Sequence, residues 1–257
     1  MVTQGMLDVC EVQGVAEAAM DVSLSSPSAL GMIAQTKGGT VMGLYNAFVD
    51  IMEQHKRPFY RRITGGPTFR LKRGGLYAWV ITPEQGGLQA SCREAEKVVT
   101  ALVDRPHGGI AVSPNASCMF GVTGMGGIYL TEYLCNDVEK DRLVEVLSST
   151  YGLPVTSPSG ELTGLDRSNS YRLPTWIEYG GERPGLSFTS SNGDYYVELM
   201  AHVKDGFAER LFLTGSFYAA PPMEPINAVL SLEGTRLDEH LFYSLKLRLS
   251  GSAELCW

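Results

Sequence analysis

The chain has 257 residues, a formal net charge of −7 at pH 7, 44% hydrophobic residues and 19% charged residues. This length allows one large domain or two smaller ones. No apolar run approaches the roughly 18 residues of a membrane span, and an acidic balance disfavours broad nucleic-acid binding, which depends on neutralising phosphates. The first 13 residues show no secretory signal pattern, so we expect a cytoplasmic location.

The cysteines and histidines predict neither a disulfide framework nor a metal site. The cysteine count is odd, no two cysteines have CxxC spacing, and the histidines are scattered. We therefore interpret each cysteine as a small buried apolar residue. The cysteines are Cys10, Cys92, Cys118, Cys135 and Cys256, and the histidines are His55, His107, His202 and His240.

Hydrophobic periodicity and turn residues predict alternating strands and helices. In chain order we expect a strand at 6–13, a helix at 15–24, a hairpin within 30–45, a helix capped by Asn46 and ended by Pro58, strands at 59–63 and 76–81, and a helix at 88–104. Several short β segments broken by glycines follow at 109–134, then a helix at 137–150. A Gly/Pro/Ser-rich stretch at 152–194 precedes a hairpin at 195–217 with an Asp205-Gly206 turn, and helices at 224–232 and 238–249.

These elements predict an α/β (α+β) fold. We expect a mixed, largely antiparallel sheet flanked by helices in residues 1–165, a linker at 166–189 and a small ββαα domain at 190–257.

One segment departs from the acidic average. From His55 to Arg73 there are seven Lys or Arg residues and no acid. Arg61 and Arg62 are followed by Ile63, Thr64, Gly65 and Gly66. Paired arginines supply donors for a phosphate or carboxylate, and adjacent glycines let backbone N–H groups approach an anion. The pattern indicates a local anion site, and a solvated strand face before a glycine turn is the alternative.

The segment RRITGGPTFRLKRGGL resembles the RRxTGGGAVYHDxGNL signature of lipoate–protein ligases. Ala16–Asp21 (AEAAMD) and Gly43–Asn46 (GLYN) are similar to neighbouring family patterns, and residues 131–147 resemble the family's small β segment and following helix. Residues 195–242 resemble the family's accessory domain, so the resemblance covers nearly the whole chain. It implies the biotin/lipoate ligase-like fold with a C-terminal accessory domain.

The resemblance also implies a chemistry. That family activates lipoate or octanoate with ATP and Mg²⁺ to an acyl-adenylate, then transfers the acyl group to a lysine of a carrier domain. By the resemblance, the residues expected at a substrate or nucleotide site are Arg61, Arg62, Thr64, Gly65, Gly66, Arg70, Lys72, Asn115, Gly124 and Gly126.

Several positions depart from the family pattern. Thr123 falls where the family has its catalytic lysine, and residues 111–134 contain no Lys or Arg. Pro67 replaces the third glycine and removes an N–H. The family's histidine, aspartate and asparagine positions hold Leu71, Lys72 and Gly75. A hydroxyl cannot supply positive charge to a developing oxyanion, so we expect ordinary ligase activity to be impaired or lost.

Two hypotheses follow. In the first, the chain keeps the fold and binds a carrier domain, a lipoyl-type ligand or another protein partner. In the second, it is an active lipoate or octanoate ligase or acyltransferase with a rearranged site. Lys72 or Arg70 would then supply the missing charge, or Cys118 would act as a nucleophile, as a cysteine does in related octanoyltransferases. The sequence does not indicate an oligomeric state.

Overall fold

A computed structural model describes residues 2–52, 54, 57–83, 86–103, 106–107, 110–156, 163–177, 179, 185–192 and 195–256. Its largest sheet has nine strands, with the main order β1-β2-β6-β10-β9-β14-β15 and with β8 on β9 and β7 on β8. The strands are β1 Val2–Leu7, β2 Leu30–Thr36, β6 Leu76–Pro83, β7 Pro106–His107, β8 Ile110–Val112, β9 Ser117–Met125, β10 Ile128–Asn136, β14 Tyr218–Ala220 and β15 Glu254–Cys256.

Two three-stranded sheets and a set of helices complete the fold. One small sheet has the order β4-β3-β5 and the other β11-β12-β13. Their strands are β3 Gly39–Met42, β4 Phe59–Arg61, β5 Phe69–Leu71, β11 Leu186–Asn192, β12 Tyr195–Lys204 and β13 Phe207–Gly215. The helices are α1 Val9–Ser25, α2 Phe48–Met52, α3 Gly87–Leu102, α4 Lys140–Tyr151, a 3-10 helix Leu165–Arg172, α5 Pro174–Ile177, α6 Glu224–Leu230 and α7 Glu239–Ser252. None of the helices in the described part of the chain is long and apolar enough to cross a membrane.

The large sheet is mixed and largely antiparallel, as predicted. Only β1 with β2 and β14 with β9 pair in parallel among the described strands of this sheet. Alternate residues of each central strand therefore face opposite sides. One side packs on α3 and α4, and the other packs on α1 and the β4-β3-β5 sheet. A third apolar cluster joins the β11-β12-β13 sheet to α6 and α7.

The glycines of β9 explain an error in the predicted elements. Short segments were expected over 109–134, but β9 and β10 are each nine residues long and form a hairpin. A Cβ at Gly121 would lie 2.2 Å from the Thr64 hydroxyl, and one at Gly124 would lie 2.4 Å from the Tyr129 ring. These glycines therefore permit close packing inside a strand and do not interrupt it.

Other predicted boundaries need correction. The strand expected at 6–13 ends at Leu7, because Asp8 begins a helix there. Asn46 does not cap a helix, because its side chain accepts from Gly43 and donates to Gly215. Most of the 3-10 helix, α5 and part of β11 lie within 166–189, where a linker is expected, and 178 and 180–184 lie outside the described residues.

The hairpin and helices of 190–257 form as elements, with the Asp205-Gly206 turn in place. They are not isolated from the large sheet, because β14 and β15 join it through β9. The division into a domain at 1–165, a linker and a domain at 190–257 stays a prediction.

Asp8 begins α1 through a capping box. Its carboxylate accepts from the Cys10 N–H at 3.0 Å, and the Glu11 carboxylate accepts from the Asp8 N–H at 2.6 Å. We predict that Asp8→Ala lowers the free energy of unfolding by about 1–2 kcal/mol in urea denaturation, because a helix N–H loses its acceptor. Asp8→Asn keeps a capping oxygen and should stay close to the wild type. Equal losses for both variants would show that the 3.7 Å ion pair with Arg172 is the main contribution.

Candidate functional site

Arg61 is buried and bound by the protein itself. Its side chain is 1% exposed, and its three guanidinium nitrogens donate at 2.7–3.2 Å to the backbone oxygens of Gly43, Leu44, Asn46, Trp176, Ile177 and Tyr179. In return, the indole of Trp176 donates to the Arg61 carbonyl at 2.8 Å. Burial lowers the pKa of Arg61 to about 9, so the group stays charged at neutral pH. The hydrogen bonds of Arg61 therefore attach the α5 segment to β4.

Arg62 belongs to a second buried polar cluster. It donates to the Thr64 hydroxyl at 2.9 Å, and its Nε lies 3.9 Å from a Glu132 oxygen. Glu132 also accepts hydrogen bonds from the Thr64 hydroxyl and, at 2.6 Å, from the Tyr77 hydroxyl. Burial raises the pKa of Glu132, while Arg62 and the two hydroxyls act to lower it. The cluster consists of Arg62, Thr64, Tyr77 and Glu132, and all four are buried.

The two glycines after Thr64 pack against the chain between β13 and β14. A Cβ on Gly65 would lie 2.0 Å from the Phe217 carbonyl oxygen, so only glycine fits there. Gly66 adopts a φ of +94° and donates its N–H to the same carbonyl at 2.8 Å. Arg62 donates to the carbonyls of Gly65 and Pro67. The Arg62 guanidinium and the Gly66 N–H, both expected to bind an anion, are therefore engaged within the protein.

A cavity of about 390 Å³ lies beside this loop. Ile63, Thr123 of β9 and Leu44 contribute to its wall. Three methionines, Met20, Met125 and Met223, also line it. Met125 and Met223 are 42% and 43% exposed, which places them at the rim. The cavity is mainly apolar and has the size of a small-molecule site.

The charged residues that line the cavity are both acidic. Glu17 accepts from the Tyr171 hydroxyl at 2.9 Å, and Arg167 pairs with Glu17 at 3.5 Å and with Asp21 at 2.6 Å. The Arg167, Glu17 and Asp21 side chains are 35–54% exposed, so these pairs are solvated and weak. The polar side of the cavity thus carries carboxylates.

Comparison with known structures identifies the architecture. No protein-family model and no curated protein matches the sequence. P. falciparum LipL1 in complex with lipoate superposes with a TM-score of 0.66 and 8% identity, over 97% of this chain and 94% of that one. Lipoate-protein ligase A bound with ATP gives 0.51 and 13%, over 70% and 100%. The archaeal lipoylation system of Thermoplasma acidophilum, a bipartite lipoate protein ligase and its E2 lipoyl domain, gives 0.51 and 10%, over 72% and 98%.

The chain has the lipoate–protein ligase fold. The fold class and the structural resemblance expected from the RRITGG segment are therefore confirmed. Identities of 8–14% show the fold alone, so the chemistry of the site has to be argued from its own residues.

Within the ligase fold, Thr123 occupies a buried position on the cavity side of β9. Its hydroxyl donates to the Ala219 carbonyl at 2.7 Å, and the same two residues are the point of pairing between β9 and β14. The Thr123 hydroxyl thus joins two strands. It is neither charged nor free to point into the cavity.

The candidate cations of the rearranged-site hypothesis lie elsewhere in the ligase fold. The Lys72 ammonium pairs with the Asp137 carboxylate, and the backbone N–H of Lys72 donates to the Asn136 side chain at 2.7 Å. Asn136 is opposite Ser117 at the start of β9, six residues from Thr123, which is about 20 Å along a strand. Arg70 donates to the Thr40 hydroxyl of the small sheet. The structure therefore does not bring Lys72 close to Thr123.

The remaining predicted residues are also dispersed. Asn115 is exposed in the turn between β8 and β9, Gly124 faces the Tyr129 ring, and Gly126 lies in the β9–β10 turn near Leu24. Gly65 and Gly66, expected at one site with Gly124 and Gly126, contact the Phe120–Gly121 part of β9. Lys56 of the basic segment lies outside the described residues.

Cys118 requires a correction. It was a candidate nucleophile and, like the other cysteines, was interpreted as a small buried apolar residue outside any disulfide. It lies directly opposite Cys135 in the β9–β10 pair, and the two form a disulfide. An oxidised, fully buried cysteine offers no thiolate, so Cys118 cannot serve as nucleophile in this state.

Several cavity residues were missed by the sequence reasoning. Tyr171 and Trp176 lie in the stretch interpreted as a linker, yet both line the cavity and stack edge to face at 5.8 Å. The presence of two large aromatic residues in a Gly/Pro/Ser-rich stretch could have indicated that this stretch packs against the rest of the protein, because such side chains bury substantial area.

Proposed function

We propose that this chain binds a lipoyl- or octanoyl-type acyl group in the cavity beside Ile63 and Thr123, and that it engages a lipoyl carrier domain without forming an acyl-adenylate from ATP. The observation that carries the proposal is the character of the cavity. It is apolar along most of its wall, and the charged side chains at its polar side are Glu17 and Asp21.

The electrostatics favour a neutral acyl group over a nucleotide. A triphosphate placed here would meet two carboxylates that the single Arg167 guanidinium neutralises only in part, whereas an acyl group linked as an amide carries no charge. The guanidinium groups of Arg61 and Arg62 donate to protein oxygens and are at most 1% exposed. Phosphate binding by these arginines would require those hydrogen bonds to break, at about 1–3 kcal/mol for each buried group left unpaired.

The structural relatives supply the ligand classes. LipL1 was crystallised with lipoate, ligase A with ATP, and the archaeal ligase was analysed with its E2 lipoyl domain. The apolar wall of the cavity suits the lipoyl group, which lipoate and a lipoylated domain share, better than it suits ATP. A carrier domain that presents a lipoylated lysine would deliver the same group as a neutral amide.

Ligand binding is tested by thermal unfolding with lipoamide, lipoate, and ATP with Mg²⁺. We expect lipoamide to raise the melting temperature most and ATP to leave it unchanged. At 100 times its dissociation constant, lipoamide should stabilise the fold by about 2.7 kcal/mol. Met223→Trp, which fills the rim of the cavity, should abolish this shift. The matched control Leu247→Trp changes a residue of α7 that is 53% exposed and should keep it.

Activity is tested by pyrophosphate release with ATP and lipoate, followed by acylation of a lipoyl domain. We expect neither above the background rate, because one missing oxyanion donor alone typically costs about 100- to 1,000-fold. Robust release that Lys72→Ala abolishes would establish a ligase with a relocated lysine. A melting shift with ATP larger than that with lipoamide would equally contradict the proposal.

A further inference from the structure

Two free cysteines face each other on the side of the large sheet away from the cavity. Cys92 lies on α3 and is 6% exposed, and Cys256 lies on β15 and is partly buried against the same apolar cluster. Both belong to the apolar cluster between α3 and the large sheet, and each thiol perturbs the pKa of the other. Neither residue contributes to the cavity or to the buried arginine clusters, so the proposed function leaves this pair unused.

The packing of β15 against α3 brings the two cysteines to neighbouring positions. The Glu254 carboxylate accepts from the Leu88 N–H at 2.7 Å and from the Tyr129 hydroxyl at 3.5 Å, which fixes one end of β15 at the first turn of the helix. Residues i and i+4 of a helix share a face about 6 Å apart, and residues i and i+2 of a strand share a face about 6.6 Å apart. Cys256 therefore falls beside Cys92, as Glu254 falls beside Leu88.

The two thiols differ in chemical character. The neighbouring Cys92 thiol, with a smaller effect of the Arg93 guanidinium, lowers the pKa of Cys256, although burial and Glu96 act to raise it. The Cys256 thiol and burial raise the pKa of Cys92. The more accessible thiol is thus the better nucleophile, and the buried one is positioned to react second.

We propose that Cys92 and Cys256 form a dithiol site that reacts with small-molecule disulfides and becomes an internal disulfide. The Cys256 thiolate attacks one sulfur of the small disulfide and releases the other half as a thiolate, which takes up the proton that Cys256 lost. The Cys92 thiolate then attacks the Cys256 sulfur and releases the second half, which takes up the Cys92 proton. Two protein thiols are oxidised, and one small disulfide is reduced to two thiols.

The product would tie β15 to α3. Because β15 pairs with β14, and β14 meets β9 at Thr123, the new bond would anchor the strand that leads into Pro222 and Met223 at the cavity. The formation of the disulfide itself does not depend on the proposed ligand.

The experiment treats the full-length protein with glutathione disulfide and counts thiols after denaturation, with peptide mapping of every disulfide. The structure has three free cysteines, Cys10, Cys92 and Cys256. We expect two of these thiols to be lost, one new Cys92–Cys256 bond in the peptide map, and a higher melting temperature than the untreated protein. These measurements need no variant and so do not depend on the folding of one.

Three serine variants assign the steps. Cys92→Ser should stop at a glutathione adduct on Cys256, and Cys256→Ser should lose no thiol. The control Cys10→Ser, a change on α1, should still form the new bond. The proposal is overturned if the wild type stops at an adduct on Cys256, or if no thiol reacts. A peptide map that joins Cys256 to Cys118 or Cys135 would overturn it as well.

Discussion

Replacement of Arg61 by methionine is expected to lower the free energy of unfolding by about 3–5 kcal/mol, measured by urea denaturation. Methionine keeps an unbranched stem but removes all donors, so the Leu44 and Asn46 carbonyls would lose the donor that Arg61 Nη1 provides, and the Gly43 carbonyl would keep only the Asn46 N–H. The α5 segment would also lose its attachment to β4.

Two variants make the Arg61 result specific. Arg61→Lys keeps a charge but lacks the planar group that reaches two segments at once, so it should recover only part of the loss. Arg73→Met changes an exposed arginine in the turn after β5 and should stay within about 0.5 kcal/mol of the wild type. If Arg61→Met lowers the free energy of unfolding no more than Arg73→Met does, the Arg61 guanidinium does not stabilise the fold.

Glu132→Ala is expected to cost about 3–5 kcal/mol, because it leaves Arg62 as a buried charge without its carboxylate. The hydroxyls of Thr64 and Tyr77 would lose their acceptor in the same change. Glu132→Gln retains an acceptor oxygen and should cost less. The surface control is Glu145→Ala on α4, where the side chain is 68% exposed, and a change within about 0.5 kcal/mol is expected.

The buried Glu132 should make the stability of the protein depend on pH. The pKa of Glu132 is raised above its ordinary value of 4.5, so the folded state holds that proton more tightly than the unfolded state does. The resulting stabilisation is fully present below pH 4.5 and is lost as the pH rises through the raised pKa. The stability of the wild type relative to Glu132→Gln should therefore fall with increasing pH. A difference that stays constant with pH would contradict this assignment.

Local patterns predicted those elements whose causes are local. The helix expected at 137–150 is α4, and the Asp205-Gly206 turn joins β12 to β13. Both depend on periodicity and turn chemistry within a few residues. The capping box at Asp8 was equally local, and its Asp-x-x-Glu pattern was available as a sign that the helix begins there.

The site could be predicted only in part, because long-range packing decides what its residues do. The RRITGG segment indicated the fold, but Gly65 and Gly66 lie against Phe217, more than 150 residues away. Whether a glycine N–H faces a ligand or a carbonyl cannot be read from the segment that contains it. In the same way, the pairing of Cys118 with Cys135 follows from the register of β9 and β10 and not from cysteine spacing.

The methionine side chains around the cavity bear on selectivity. Met20, Met125 and Met223 are unbranched and can adopt many rotamers, so this part of the wall can adjust to acyl chains of different length and shape. Such a cavity selects by polarity more than by size. The same side chains are vulnerable at the rim, since conversion of the exposed thioethers of Met125 and Met223 to sulfoxides would turn an apolar entrance into a polar one.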